Sequence, residues 1–544
     1  MSRATLIYKN GTILTMDEAA PKAEAIAVGS DGRILAVGSE REVSNLASRE
    51  TRTIDLRGRT LMPGFFDCHL HLLWLGIDLG HVDLSSPPVR EAEDIVRLLR
   101  ARLASNPDLT CVQGNRYDQN RLPNAQHPTR HDLDRVSADI PVRIVHTSGH
   151  AAVVNSRALT LLGITRETPD PVGGEIERGP DGEPTGVLLE TASWTGLDRI
   201  LPEVRPEESV AALGRANGYL LARGITSATD ANTPPSELDT FRRAIAGEVL
   251  QTRTNLMIGW AEVVQRAGEG AIPTPQEMAF EGIDWHRLNV GQAKLFSDGA
   301  ITTRTCWLTE PFRNMPDNFG IPLHPPDELQ ELIRLAHNAG WQIATHAIGD
   351  KAIDVVLSAY ADAQREHTRP KPGHRIEHCM LLDAGLIARL RRQNVWSIGQ
   401  PEFLARLGDA YVLALDEERA NRLSPYATLD RQNVAQAFSS DCPVVPGAPL
   451  DGVRAAMERK TVSGRVLNAA ECLSAEAALY AYTSAPAFAS RADRDRGTLE
   501  TGKLADFVVL TADPTAVPIA EWERVQVAAT IIGGECRFGE ETLD

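Results

Sequence analysis

The chain has no apolar run long enough to span a bilayer, which takes about 20 consecutive apolar residues, so no membrane partner is expected. Its opening, MSRATLIYKNGTILTMDEAA, lacks the apolar core and small-residue cleavage site of a secretory signal, and a cytoplasmic location is expected. Cysteine is sparse and unpatterned. The seven residues Cys68, Cys111, Cys306, Cys379, Cys442, Cys472 and Cys536 form no CxxC pair and are odd in number, which reads as reduced, partly buried thiols. Positive charge is also scarce: 56 Lys and Arg stand against 73 Asp and Glu, a formal charge of -17. No basic cluster reverses that locally, so a phosphate backbone is repelled and nucleic acid is not an expected partner. Low-complexity tracts and short repeats are absent too.

What is present belongs to a globular protein. Hydrophobic residues make up 42% of the chain and charged residues 24%, and 544 residues exceed one compact core, so two domains are expected. Both ends are β-rich. LIYKNGTILTM and AIAVGSDGRILAVG read as antiparallel hairpins turning at Lys9-Asn10-Gly11 and Ser30-Asp31-Gly32, and GTLETGKLADFVVLTADP and VAATIIGGECRFG repeat the idiom at the far end. Between the ends, eight short apolar runs recur: LMPGFFDCHLH, GITSATD, RTNLMIGW, NVGQAKLFSDG, WQIATHAIG, HRIEHCM, NVWSIGQP and NVAQAFSSDCP. Segments such as PDELQELIRLAHNAG, with apolar residues at helical spacing, lie between several of them. The expected fold is α/β, a (β/α)₈ TIM-type barrel. Residues 63–489 form the barrel, and residues 1–62 with 490–544 form a small composite β-sandwich from both termini. The first and second runs are too far apart for one barrel helix, so residues 80–205 are read as an insertion over the mouth, with a hairpin at GGEIERGPDGEPTGVLLE.

Asp67-Cys68-His69-Leu70-His71 ends the first run, and strand alternation puts His69 and His71 on one face, able to share an ion. An isolated HxH is better explained by a polar strand end, since two ligands alone do not define a metal site. Its weight comes from partners where further strands should end: Lys294, His346, His378 and Asp441, the edge at which barrels of this kind carry chemistry. Neutral imidazoles and a carboxylate suit a divalent ion, with zinc expected. Asp67 faces away from the histidines and is expected to hydrogen-bond a neighbouring loop. Cys68, Cys379 and Cys442 read as buried packing residues.

The ordered set GRTLMPGFFDCHLH, SGHAAVVNSRAL, GGEIERGPDGEPTG, KLFSDGAITTRT, THAIGDKAID, HRIEH, SSDCPV and GTLETGKLADFVVL resembles the amidohydrolase superfamily, and within it amidohydrolase family 3, which includes N-substituted formamide deformylases. The resemblance covers nearly the whole chain. It implies a metal-bearing barrel with a sandwich made from both termini. It also implies that His69, His71, His346, His378 and Asp441 are metal ligands, and that Lys294, carboxylated by carbon dioxide, bridges two metals. With a plain, salt-bridged Lys294 a single ion is expected.

The function implied is hydrolysis of a small-molecule non-peptide C–N bond, foremost a linear amide such as an N-substituted formamide, with metal-activated water and Asp441 as proton shuttle. A ring amidine deaminase is weakened because Gly349 stands where deaminases of this superfamily usually place a glutamate. A cyclic amide or carbamate hydrolase, and a non-catalytic scaffold on the same fold, complete the alternatives. His150 and Asn155 are candidates to cover the substrate, against turn and capping roles. Arg304 is a candidate for a substrate carboxylate or carbonyl, against a structural ion pair. A homo-oligomer is allowed for.

Overall fold

The computed structural model describes residues 3–86, 88–268 and 270–543, so residues 1, 2 and 544 of the two terminal segments, residue 87 of the insertion and residue 269 of the barrel segment lie outside it. Each of the eight apolar runs supplies one barrel strand: β1 (Phe65–Leu70), β2 (Ile225–Thr233), β3 (Arg253–Gly259), β4 (Leu288–Phe296), β5 (Gln342–Ala347), β6 (Arg375–His378), β7 (Trp396–Gly399) and β8 (Gln436–Phe438). They are hydrogen-bonded in sequence order and every pairing is parallel. The seam between β1 and β8 is stitched beyond the strands, where Asp441 N–H donates to the His69 carbonyl at 2.7 Å and His71 N–H to the Cys442 carbonyl at 2.8 Å.

Helices surround the barrel. In Pro326–Asn338, with proline in the first turn, Leu329, Leu332, Ile333 and Ala336 are buried against the barrel. Each buried Leu or Ile contributes about 1.5–3 kcal/mol relative to exposure.

The two ends of the chain share a sheet. Thr60–Pro63 pairs antiparallel with Phe507–Leu510, which continues through Val527–Ile532 to Glu535–Phe538. A second, four-stranded sheet is formed by Ile34–Gly38, Ala25–Val28, Leu6–Lys9 and Arg52–Asp55. Tyr8, Ile26 and Ile54 of this sheet share one core with Leu61, Phe507 and Ile531 of the other. The Ser30-Asp31-Gly32 hairpin is present, joining Ala25–Val28 to Ile34–Gly38. The Lys9-Asn10-Gly11 hairpin is not: Leu6–Lys9 and Thr12–Leu14 lie in different sheets. Asn10 takes a positive φ, and Gly11 passes so close to the Arg59 carbonyl that a Cβ would lie 2.4 Å from its oxygen. The turn is therefore a crossing between layers.

Between β1 and β2 the chain builds a third sheet, in the order Gly174–Arg178, Pro184–Glu190, Ala151–Val154, Val142–His146, Val112–Tyr117, Val82–Asp83. The expected Gly-Pro-Asp-Gly hairpin is there, with Gly182 at φ 83°. One face packs on its own core of Ile95, Leu99, Val112, Val142 and Ile144. All seven cysteines are free, and among the described residues no helix is long and apolar enough to cross a membrane.

Candidate metal centre

The predicted residues meet at the C-terminal ends of the strands. His69 is the penultimate residue of β1 and His71 follows the strand, and both Nε2 atoms lie 3.2 Å from the same oxygen, Asp441 Oδ1. Donor atoms of these three residues all lie within 4.8 Å of one another. His69 and Asp441 are buried, and the His71 side chain keeps 20% exposure at the mouth. Asp67 holds the third member in place, as expected of it: its carboxylate accepts from Ser440 Oγ and from the Ser440 and His69 backbone N–H groups.

The remaining imidazoles continue the line. Ring centroids are 5.0 Å apart for His69 and His378, 4.4 Å for His378 and His346, and 5.1 Å for His346 and His150. His378 and Asp441 adopt φ of 70° and 58°. The first breaks strand alternation, so that Glu377 and His378 both serve the centre.

Charge states follow from burial and neighbours. Burial opposes ionisation of Asp441, yet His69 and His71 hold its carboxyl well below the usual carboxylate range. Burial pushes His378 down to about 3 and carries His346 well below its ordinary value, with His378 and His150 adding to the latter, so both are neutral. Hydrogen bonds assign the nitrogens. Glu377 is ionised despite burial because Arg375 and His69 press its pKa down, and it accepts from His69 Nδ1. His378 Nδ1 meets Gln400 Oε1 at 2.9 Å, and His346 Nε2 meets the Gly299 carbonyl at 3.1 Å. Each ring is left with one lone pair to offer.

A divalent cation fits this donor set. His69 Nε2 and His71 Nε2 both point at the buried Asp441 Oδ1, which has no well-formed hydrogen bond. Positive charge on these rings is what holds the carboxylate ionised, and a cation among the three donors would supply that charge in place of ring protons. Lys294 is a second such signal. Its Nζ is fully buried without a hydrogen-bond partner, 4.6 Å from the Phe296 ring centre, and burial pushes its pKa down to about 8.

The three further candidates separate. His150 reaches the centre from the insertion: its Nδ1 is 2.6 Å from Glu190, and with His378 and Asp441 it lines a small cavity of about 20 Å³. Asn155 does not reach it. Its Oδ1 caps helix Ser156–Leu162 by accepting from Ala158 N–H, and its Nδ2 donates to the Ser137 and Ile140 carbonyls, so the capping role holds. Arg304 is turned aside by a φ of 58° and lines a separate cavity with His127, Glu175 and Asn318. It lies outside the cavities that the His71, Lys294, His378 and Asp441 side chains line.

Sequence reading missed Arg375, Glu377 and Gln400, which orient the ligands. The Arg375–Glu377 ion pair, fully buried, was legible as alternation within HRIEH. At Gly349 a Cβ would lie 1.9 Å from the Trp307 carbonyl oxygen, so no glutamate side chain fits there. A cavity of about 580 Å³ opens on the His71 and Lys294 side of the centre, walled by Trp74, Trp194, Trp260 and Phe296.

Residues 52–538 match the amidohydrolase family. The chain is 32% identical to the protein YtcJ of Bacillus subtilis (strain 168), over 97% of this chain and 98% of that one. It is 29% identical to an N-substituted formamide deformylase of Arthrobacter pascens, over 98% of both. A solved structure of an uncharacterized metal-dependent hydrolase from Pyrococcus horikoshii superposes with a TM-score of 0.74 at 27% identity, covering 95% of this chain and 99% of the other.

Proposed function

The chain belongs to the amidohydrolase family and is a metal-dependent hydrolase, and from that premise we propose that it cleaves a linear amide, foremost an N-substituted formamide, in a zinc-dependent reaction. The observation that carries the reading is the convergence of His69 and His71 on one oxygen of a buried, ionised Asp441. His346, His378 and Lys294 complete the donor set, Lys294 after its neutral amine adds carbon dioxide and loses a proton. A carbamate there supplies the anionic oxygens to hold a second ion; a plain lysine leaves one.

A divalent ion at this centre supplies a Lewis acid for the carbonyl and lowers the pKa of a water to about 7. The chain's own residues do the rest. Asp441 takes the proton of the attacking water and passes it to the departing nitrogen as the C–N bond breaks. His150, whose pKa is raised against burial by Glu190, covers the carbonyl from the insertion. The tight fit at Gly349 disfavours the deaminase alternative, which needs an acid at that place. The name of the Arthrobacter relative supports the formamide as the first substrate to try.

The test is a panel of formamides, acyl amides, ureas, carbamates and cyclic imides offered to zinc-loaded protein, following release of amine and acid. Formamides are expected to be cleaved, and removal of metal by a chelator to abolish the reaction reversibly. Full activity in metal-free protein would end the proposal.

A further inference from the structure

Four arginines are buried among the described residues, and three of them make two or more short hydrogen bonds to the protein. Arg375 pairs with Glu377, Arg253 with Asp506, and Arg459 donates to the Leu467, Ser424 and Leu423 carbonyls. Arg143 is the exception. It is 9% exposed, its Nε has no hydrogen-bond partner, and its one hydrogen bond is a long 3.4 Å contact from Nη2 to the Ser193 carbonyl. No carboxylate among the described residues pairs with it. Burial pushes its pKa down only to about 10, so it is a cation at neutral pH. Taking an unpaired guanidinium out of water is costly, and a site that keeps one is built for an anion the protein does not supply.

Its position says which anion. Arg143 lies on strand Val142–His146 of the insertion, where alternation sends Val142 and Ile144 into the insertion's own core and Arg143 and Val145 to the other face. In the neighbouring strand Gln113 is in register with Arg143, and Asn115 with Val145. All four line the same 580 Å³ cavity that His71 and Lys294 reach from the barrel. The sheet is thus a polar ceiling with one fixed positive charge over an aromatic-walled space whose floor is the metal centre. Two carboxylates border the cavity: burial, with Asp230 and Glu262, pushes Glu237 up to about 8, and Glu262 is paired with Arg266, so neither is paired with Arg143.

We propose that Arg143, flanked by the amides of Gln113 and Asn115, binds a carboxylate on the substrate, at the end remote from the scissile bond. The substrate class is then an amide joined through an apolar, aromatic-sized body to a carboxylate. A planar guanidinium matches a carboxylate through two parallel hydrogen bonds. This inference rests on the hydrolase reading for the bond that is cut, but not for the recognition itself.

The test compares 4-(formamidomethyl)benzoate with its neutral isostere 4-(formamidomethyl)benzamide as substrates of the zinc-loaded enzyme. In parallel, calorimetry compares binding of 4-ethylbenzoate and 4-ethylbenzamide, which carry no scissile bond. The wild-type enzyme is expected to favour the carboxylate at least tenfold in kcat/KM and in Kd, the range of a charge-assisted pair. In Arg143→Gln both ratios should fall to near one, with Tm unchanged or raised because an unpaired buried charge is gone; Arg143→Lys should fall between. Ratios near one in the wild type, or a wild-type ratio retained in Arg143→Gln, would overturn the proposal. If neither formamide is cleaved while 4-ethylbenzoate binds in an Arg143-dependent way, the carboxylate site stands and the formamide reading fails.

Discussion

Glu377 accepts a hydrogen bond from His69 Nδ1 while two donors of Arg375 hold it from the other side, and all three side chains are fully buried. The carboxylate fixes which ring nitrogen of His69 faces Asp441. Glu377→Gln removes the charge that orients the ring, and partners of this kind are worth about 10–100-fold in metal affinity. We expect a loss of that size in competition with a chelator, together with about 3–5 kcal/mol of stability from the stranded Arg375. Unaltered affinity in the folded variant would show that the ring is oriented by something else.

Asp441→Asn keeps an oxygen in place but cannot carry the proton. Turnover is expected to drop by a factor of about 10²–10⁴, with most of the bound metal retained by elemental analysis. A variant that turns over normally would place the proton transfer on another group.

Lys294→Met fills the same buried space without a group that can react with carbon dioxide. If the carbamate forms, metal content should fall from two equivalents toward one, and added bicarbonate should raise metal uptake in the wild type but not in the variant. Equal content in both proteins would favour a single ion.

Asp506 ties the terminal sheet to the barrel through Arg253, with Nε and Nη2 both donating to its carboxylate. Burial raises the pKa of Asp506, but Arg253 outweighs it and leaves it below its ordinary 3.8. A depressed carboxyl stabilises the fold above its unfolded value and loses that contribution as pH falls through the folded one. The pair should therefore be at full strength above about pH 5 and weaken below pH 4. Asp506→Asn should cost about 3–5 kcal/mol near pH 7 and flatten the acid limb of the stability curve in denaturant melts. An acid limb identical to wild type would assign that limb elsewhere.

The barrel was legible because its strands are short apolar runs between helix-spaced segments, a contrast of period that composition cannot hide. The positions that come together at the centre were legible because strand ends are where such runs stop. What sequence could not show was direction. Asn10-Gly11 has the residues of a hairpin turn, yet the positive φ of Asn10 sends the chain to another layer. Arg304 stands a few residues past Lys294, and one left-handed residue points it away. Asn155 could not be separated from a site residue until its four hydrogen-bond partners were known. Arg143 carried no signal in the sequence, because an unpaired charge is visible only once every neighbour is placed.

The seam of the barrel carries a consequence in time. The backbone of Asp441 closes the gap between β1 and β8 by bonding the His69 carbonyl, and its side chain meets the two histidines at the same spot. A ribosome delivers His69 and His71 early and Asp441 only after nearly the whole barrel, an interval of tens of seconds at roughly 5–20 residues per second. Through that interval the nascent chain lacks the carboxylate on which His69 and His71 converge, so the three-residue cluster is incomplete. Chemical competence therefore arrives with the last barrel strand, which makes the half-built chain inert.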